Sequence, residues 1–215
     1  MAINYYDRIA ASYDQRFYPN TTLTNQKIID KALRIINASK MGREQNVLEL
    51  GCGTGIYTRI FAAFTTNLIA VDGSQRMIDI AKTRVKGNVI FKQADINNLL
   101  FEPIFDCIVG VYILQYVDVR KVLFRVSKML KPGGRVAFIE PNALNPLIKW
   151  WEFKNKVSHA LPRWEYVRIM KEVGFKDATS QPFEFTPPNF NHRITWPEKI
   201  PLVKEFAGSV LITID

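Results

Sequence analysis

Val47-Leu48-Glu49-Leu50-Gly51-Cys52-Gly53-Thr54-Gly55 is an apolar strand that runs directly into a loop with glycine at every second position. Only glycine lets backbone amides come that close to a ligand, so the loop reads as a place of close approach at the carboxyl end of a strand. Dinucleotide-binding proteins space their glycines as G-x-G-x-x-G, whereas Ile56 stands here where the third would fall, which argues against a pyrophosphate on the following helix. Outward from this loop, strand-like and helical runs alternate. Strands are predicted at 46–50, 68–71, 89–93, 105–111 and 134–139, with helices at about 56–64, 74–85 and 119–130 between them. Near-continuous apolar strands separated by helices specify a parallel sheet covered on both faces. Pro132-Gly133-Gly134 after Leu130-Lys131 reads as a helix stop and a tight turn from which the fifth strand starts.

Before the sheet, Ile3, Tyr6, Ile9, Ala10, Tyr13 and Phe17 fall on one helical arc, and residues 24–39 form a second helix with Ile28, Ala32, Ile35 and Ile36 inward. Beyond Pro141 an aromatic helix is predicted over 143–159, another over 162–173 ended by Gly174, and strands near 176–185 and 209–214. The run 182–201, with Pro187-Pro188 and Trp196-Pro197, is too rich in proline for a regular element and reads as a long loop. The expected organisation is one domain: cap helices in 1–40, a core in 44–140, an inserted lid helix in 142–161 and a closing helix and strands in 162–215.

The 215 residues are 47% hydrophobic and 23% charged, as in a globular protein able to bury its own core. Two cysteines and two histidines supply neither a disulfide framework nor a zinc set, so no metal site is expected. The longest apolar runs, such as 107–114, fall far short of the roughly 20 residues a spanning helix needs, and no basic flank precedes an apolar stretch at the N-terminus. A cytoplasmic location follows as the expectation. The net charge of +9 is spread along the chain without a basic tail.

The Glu-Leu-Gly-Cys-Gly-Thr-Gly run resembles the first motif of the class I S-adenosylmethionine-dependent methyltransferases, of the small-molecule type near the ubiquinone-biosynthesis enzymes. Four further segments resemble the family in order over roughly residues 44–140: Val71-Asp72-Gly73-Ser74 with Met77, Gln93-Ala94-Asp95-Ile96, Phe105-Asp106-Cys107-Ile108-Val109, and Leu130-Lys131-Pro132-Gly133-Gly134. The resemblance implies a Rossmann-like, doubly wound, mostly parallel α/β sheet of seven strands with a reversed last pair and a helical cap. It implies S-adenosyl-L-methionine as cofactor, held by Gly51, Cys52, Gly53 and Gly55 in the first loop, with Glu49 behind them. Asp72 and Gly73 would take the ribose, Ala94, Asp95 and Ile96 with Met77 the adenine, Gly110 and Val111 the fourth strand end, and Tyr13 the methionine tail. Asp72 also has a physical warrant, since a ribose diol needs a two-acceptor carboxylate; capping the next helix is its other reading.

Gly110-Val111-Tyr112-Ile113-Leu114-Gln115-Tyr116 ends the fourth strand at the sheet edge where ligands bind in such folds. Relatives often carry histidine near 115 and 116; glutamine and tyrosine replace it here. Tyr112, Gln115 and Glu140, with Tyr116 and Asn142, are therefore the candidates to orient an acceptor, and only Glu140 is an ordinary base. The helix at 143–159 reads as a lid over the acceptor, with a basic aromatic helix resting on an anionic membrane as the alternative; Glu152 and Asn155 break up its basic face and favour the lid. The acceptor is expected to be a small molecule or lipid, the chain a monomer or homodimer, and nucleic acid an improbable partner. An RNA methyltransferase and a non-catalytic cofactor-binding protein are the competing readings.

Overall fold

The computed structural model describes residues 2–155, 159–184 and 207–214. Its centre is a seven-stranded sheet of β1 (Asn46–Leu50), β2 (Asn67–Asp72), β3 (Val89–Gln93), β4 (Phe105–Val111), β5 (Leu130–Pro141), β6 (Thr179–Phe183) and β7 (Ser209–Thr213). The order is β3-β2-β1-β4-β5-β7-β6; β1 to β5 are mutually parallel, and β7 runs antiparallel to both its neighbours. The helices are α1 (Ala2–Ile9), α2 (Tyr13–Phe17), α3 (Thr22–Ser39), α4 (Thr58–Phe61), α5 (Gln75–Arg84), α6 (Val119–Met129), α7 (Pro146–Asn155) and α8 (Arg163–Glu172). The seven-stranded, doubly wound reading thus holds, but of the last pair expected to be reversed only β7 is, since β6 runs in the direction of β1 to β5.

Alternation along the strands sends side chains to two cores. Val47, Cys107, Val109, Ala137 and Ile139 pack with Ile28, Ala32, Ile35 and Ile36 of α3. Leu48, Leu50, Ile108, Val136 and Phe138 pack with Val122, Leu123 and Val126 of α6 and Tyr166 and Met170 of α8. A strand apolar at every position is stable only when both of its faces are covered in this way. Helix starts are capped where the sequence offers a short polar side chain: Thr21 accepts from the Thr24 amide, Ser74 from Met77 and Asp118 from Lys121.

Three elements differ from the sequence reading. The N-terminal arc is two helices joined by a tight turn at Ala10–Ser12. The fifth strand does not wait for Pro132-Gly133-Gly134: Leu130 already pairs with Phe105, and pairing resumes at Arg135 with Cys107, so the turn is a bulge inside β5. The aromatic helix is shorter than predicted, Pro146–Asn155, and the run 182–201 read as a loop begins inside β6 at Pro182 and Phe183; residues 156–158 and 185–206, with His192 and Trp196, lie outside the described residues. Among the described residues no helix is long and apolar enough to cross a membrane.

Candidate functional site

The strand order reverses between β1 and β4, which opens a crevice at their carboxyl ends. A cavity of about 200 Å³ lies there, lined by the ends of four parallel strands and by the N-terminal helices. From the sequence-predicted set it gathers Tyr13, Gly51, Gly53, Asp72, Gly73, Met77, Ala94, Asp95, Ile96, Val111, Tyr112 and Tyr116. Ile3, Tyr6, Ser74, Asn97, Ile113 and Val117 also line it. The sequence puts Ile3 and Tyr6 on one helical arc with Tyr13 without assigning them to the site, and that shared arc faces the crevice.

The β1 loop is shaped by its glycines. Gly51 has φ +71°, and a Cβ there would lie 2.6 Å from the Ile113 side chain. Its amide and that of Cys52 both donate to the Val71 carbonyl, which ties the loop to the end of β2. Asp72 closes the join: the Gly53 N–H donates to its Oδ2 at 2.8 Å and the Ser74 N–H to its Oδ1 at 2.9 Å. Each carboxylate oxygen keeps a lone pair for a further donor, so an accepting carboxylate faces the cavity. Burial pushes the Asp72 carboxyl up, against the pull of the Ser74 and Gly53 amides.

Asp95 occupies the β3 end and caps the turn Ile96–Asn98. Its Oδ1 accepts from the Asn97 N–H at 3.0 Å and its Oδ2 from Asn98 Nδ2 at 2.6 Å. Burial pushes its carboxyl up, but the Asn97 and Asn98 donors together outweigh it and hold the carboxyl below the usual range. Beside it, Met77, Ala94 and Ile96 supply an apolar wall.

Tyrosine dominates the opposite wall. Tyr6 meets Tyr116 edge-on at 5.2 Å between ring centres and Tyr13 at 5.9 Å. Burial raises the phenols of Tyr6, Tyr13, Tyr112 and Tyr116 well above their ordinary value, which keeps them protonated at neutral pH and leaves them donors rather than bases. Tyr112 has φ +56°, an unusual conformation for a bulky residue, and its hydroxyl lies 2.9 Å from Ser209 Oγ. Lys31, buried and ion-paired to Glu184, sits over the Tyr112 ring at 5.9 Å.

Other predicted residues stand outside the lining. Glu49 and Glu140 are buried behind it, and burial pushes each carboxyl up to about 8. Glu140 Oε1 accepts from the Ile113 and Leu114 amides, both at 2.9 Å, so it braces the turn after β4 and is not presented as a base. Gln115 is buried, and its Nε2 donates to the Tyr112 carbonyl. The Cys52 side chain packs beneath the loop with Ala70 and Ile78. Gly55 and Gly110 meet neighbouring side chains rather than the cavity. Among the described side chains of α7 none lines this cavity.

Polar contacts extend the site beyond its lining residues. Asp14 at the start of α2 pairs with Arg84 at the end of α5 and accepts from Thr54 Oγ1 at 2.6 Å, while Arg84 Nη1 also donates to the Thr54 carbonyl at 2.6 Å. Asp7 of α1 accepts from the Ser74 hydroxyl. These polar contacts fasten α1 and α2 across the crevice.

Residues 47–134 match a family model described as a methyltransferase domain. The chain is 32% identical over 156 residues to the demethylmenaquinone methyltransferase of Leptospira interrogans, covering 67% of this chain and 62% of that protein. It is 33% identical over 140 residues to the ubiquinone/menaquinone biosynthesis C-methyltransferase of Proteus mirabilis, covering 60% and 55%. The matched stretch thus spans about half to three fifths of the length of these relatives. A solved S-adenosylmethionine-dependent methyltransferase of Thermotoga maritima, described as a possible histamine N-methyltransferase, superposes with a TM-score of 0.75 at 20% identity, covering 100% of this chain and 99% of the other. An N-methyltransferase of Bradyrhizobium japonicum in complex with S-adenosyl-L-homocysteine gives 0.72 at 20% identity, covering 99% and 97%. At that identity the likeness concerns the fold.

Proposed function

The chain belongs, through the domain at residues 47–134, to the class I S-adenosylmethionine-dependent methyltransferases, and from that premise we propose that it methylates a small, flat aromatic acceptor of the quinone type, free or lipid-linked. The observation that carries this reading is Asp72. It is a buried carboxylate fixed by two backbone amides at the end of β2, with spare lone pairs toward a cavity whose other end is a glycine loop. These features fit the cofactor. Asp72 would take the ribose hydroxyls, Asp95 the adenine amino group between Met77 and Ile96, and the Gly51 to Gly53 backbone with Tyr13 the amino-acid tail. S-adenosylmethionine supplies a methyl group on a cationic sulfur, which a nucleophile displaces directly.

What the protein adds is alignment. Tyr6, Tyr13, Tyr112 and Tyr116 offer ring edges and faces to a planar acceptor and hydroxyl donors to its oxygens. Their protonated phenols suit an electron-rich ring that needs no base for the attack itself. The quinone names carried by the Leptospira and Proteus relatives support the same acceptor class.

Titration calorimetry with S-adenosylmethionine tests the first half. Asp72→Ala is expected to weaken binding roughly 10- to 100-fold, the worth of hydrogen bonds to a charged acceptor; unchanged affinity would remove the reading. Transfer of a labelled methyl group to reduced naphthoquinones, catechols, amines and tRNA tests the second half. Turnover on tRNA alone would replace the quinone-type acceptor with nucleic acid, and binding without any turnover would leave a cofactor-binding protein.

A further inference from the structure

Leu147, Trp150 and Phe153 follow one another at i, i+3 and i+6 along α7, and all three stand out of the fold: Phe153 is 80% exposed, Trp150 62% and Leu147 39%. Single exposed apolar side chains are ordinary on a protein surface, but three large ones along one side of a ten-residue helix form a strip. The inward side of α7 is served by Ile148, in a small cluster with Ala143 and Ala160. Leu147, Trp150 and Phe153 therefore line neither the cavity nor either core.

In the sequence Glu152 and Asn155 break up the basic face of this helix, and the fold turns the acid of the two inward. Glu152 is the only acidic residue of α7, and its side chain is tucked in: Oε1 accepts from the Ala160 amide and Oε2 from Lys149 Nζ at 3.0 Å. Lys149 itself remains largely exposed beside the apolar strip, and so does Trp164 near the start of α8.

We infer that α7 is a docking surface for an anionic lipid membrane, with Phe153, Trp150 and Leu147 entering the headgroup boundary and Lys149 lying among the phosphates. Burying protruding aromatic side chains while a cation meets an anionic layer is the way amphipathic helices rest on bilayers. The charge selects this occupant over a second copy, because two chains of net charge +9 repel each other where a membrane surface of opposite sign attracts. The inference does not depend on which molecule is methylated, and it holds whether or not methyl transfer occurs.

Sedimentation of the full chain with vesicles provides the test, using phosphatidylcholine alone and phosphatidylcholine mixed equally with phosphatidylglycerol. The expected result is partition onto the anionic vesicles at least about tenfold stronger than onto the neutral ones, weakening as salt is added. The pair Trp150→Ser and Phe153→Ser should cut that partition by about tenfold or more, and Lys149→Glu should lower it without touching the apolar strip. Both exposed positions tolerate polar replacement, so thermal unfolding and S-adenosylmethionine affinity should stay at the wild-type values. Absence of partition, equal partition onto neutral vesicles, or undiminished partition of the serine variant would each overturn the inference. A wild-type dimer that the serine variant loses would overturn it too, by giving the strip to a second copy.

Discussion

At the scale of single residues, the glycine loop divides into two kinds of position that look alike in the sequence. Gly51 and Gly53 line the cavity, whereas Gly55 serves packing: its φ is +79°, and a Cβ would lie 3.0 Å from the Ala81 Cβ and 3.1 Å from a Val85 methyl. Gly55→Ala should therefore cost about 1–3 kcal/mol of stability, from strain and overpacking together, and urea unfolding measures it. A smaller effect than on cofactor affinity would contradict the packing role. The buried glutamates make a second residue-level claim. Glu49 and Glu140 titrate near 8 in the fold and near 4.5 when unfolded, so between those values the folded chain holds protons that the unfolded chain has released. The contribution of these two groups to stability is therefore full below about 4.5 and is lost as pH rises toward 8, by roughly 1.4 kcal/mol per pH unit for each retained proton. Glu140→Gln cannot ionise, so its stability should fall less steeply from pH 5 to 8 than the wild type's. Parallel slopes in a pH series of urea titrations would show that this carboxyl does not carry the effect.

Among the elements, the cap is the one whose role the sequence least disclosed. A cavity of about 200 Å³ is smaller than the roughly 300–1,000 Å³ of most ligand sites, and α1 and α2 occupy its mouth through Ile3, Tyr6 and Tyr13. Cofactor uptake through that mouth would displace these helices, and the Asp14, Thr54 and Arg84 contacts would resist the displacement. The pair is a quarter to a third exposed, so its worth is modest. Arg84→Met should raise the cofactor dissociation constant roughly threefold to tenfold, with faster release and faster amide exchange over residues 2–17. Unchanged release kinetics would mean that the cap is held by its aromatic contacts alone. The strands, by contrast, were legible because each of β1 to β4 is an apolar run ended by glycine, a polar residue or a turn. The latch was not, since Asp14, Thr54 and Arg84 are ordinary polar residues some 30 to 70 positions apart with no periodicity to join them. The bulge in β5 escaped for a related reason: Pro-Gly-Gly signals a turn in any context, and only the pairing of Leu130 with Phe105 shows that a strand continues through it.

For the molecule as a whole, the order of assembly follows from where the last described strand lies. β7 is buried along its length and inserted between β5 and β6, so the sheet is incomplete until it is in place. Periodicity alone predicted a strand at 209–214 but could not place it inside the sheet, because the pairing partner of an apolar run is set by the space left by other strands. Asp72 and its neighbours at the crevice were legible as carboxylate and glycine positions, whereas the brace made by Glu140 depends on backbone amides distant in sequence, and the inward turn of Glu152 on an amide beyond the end of its own helix. A contrast between two deletions follows. Residues 2–17 belong to neither large core cluster, so removing them should leave cooperative unfolding intact while cofactor binding is lost. Removing 207–215 takes away β7, strips Val210, Leu211 and Ile212 from both cores, and exposes the β5 edge to other chains. That deletion should abolish the cooperative transition and drive aggregation, as followed by circular dichroism and light scattering. If the shorter C-terminal chain instead unfolds cooperatively as a monomer, the parallel strands and their helices are a self-sufficient core, and β7 merely decorates it.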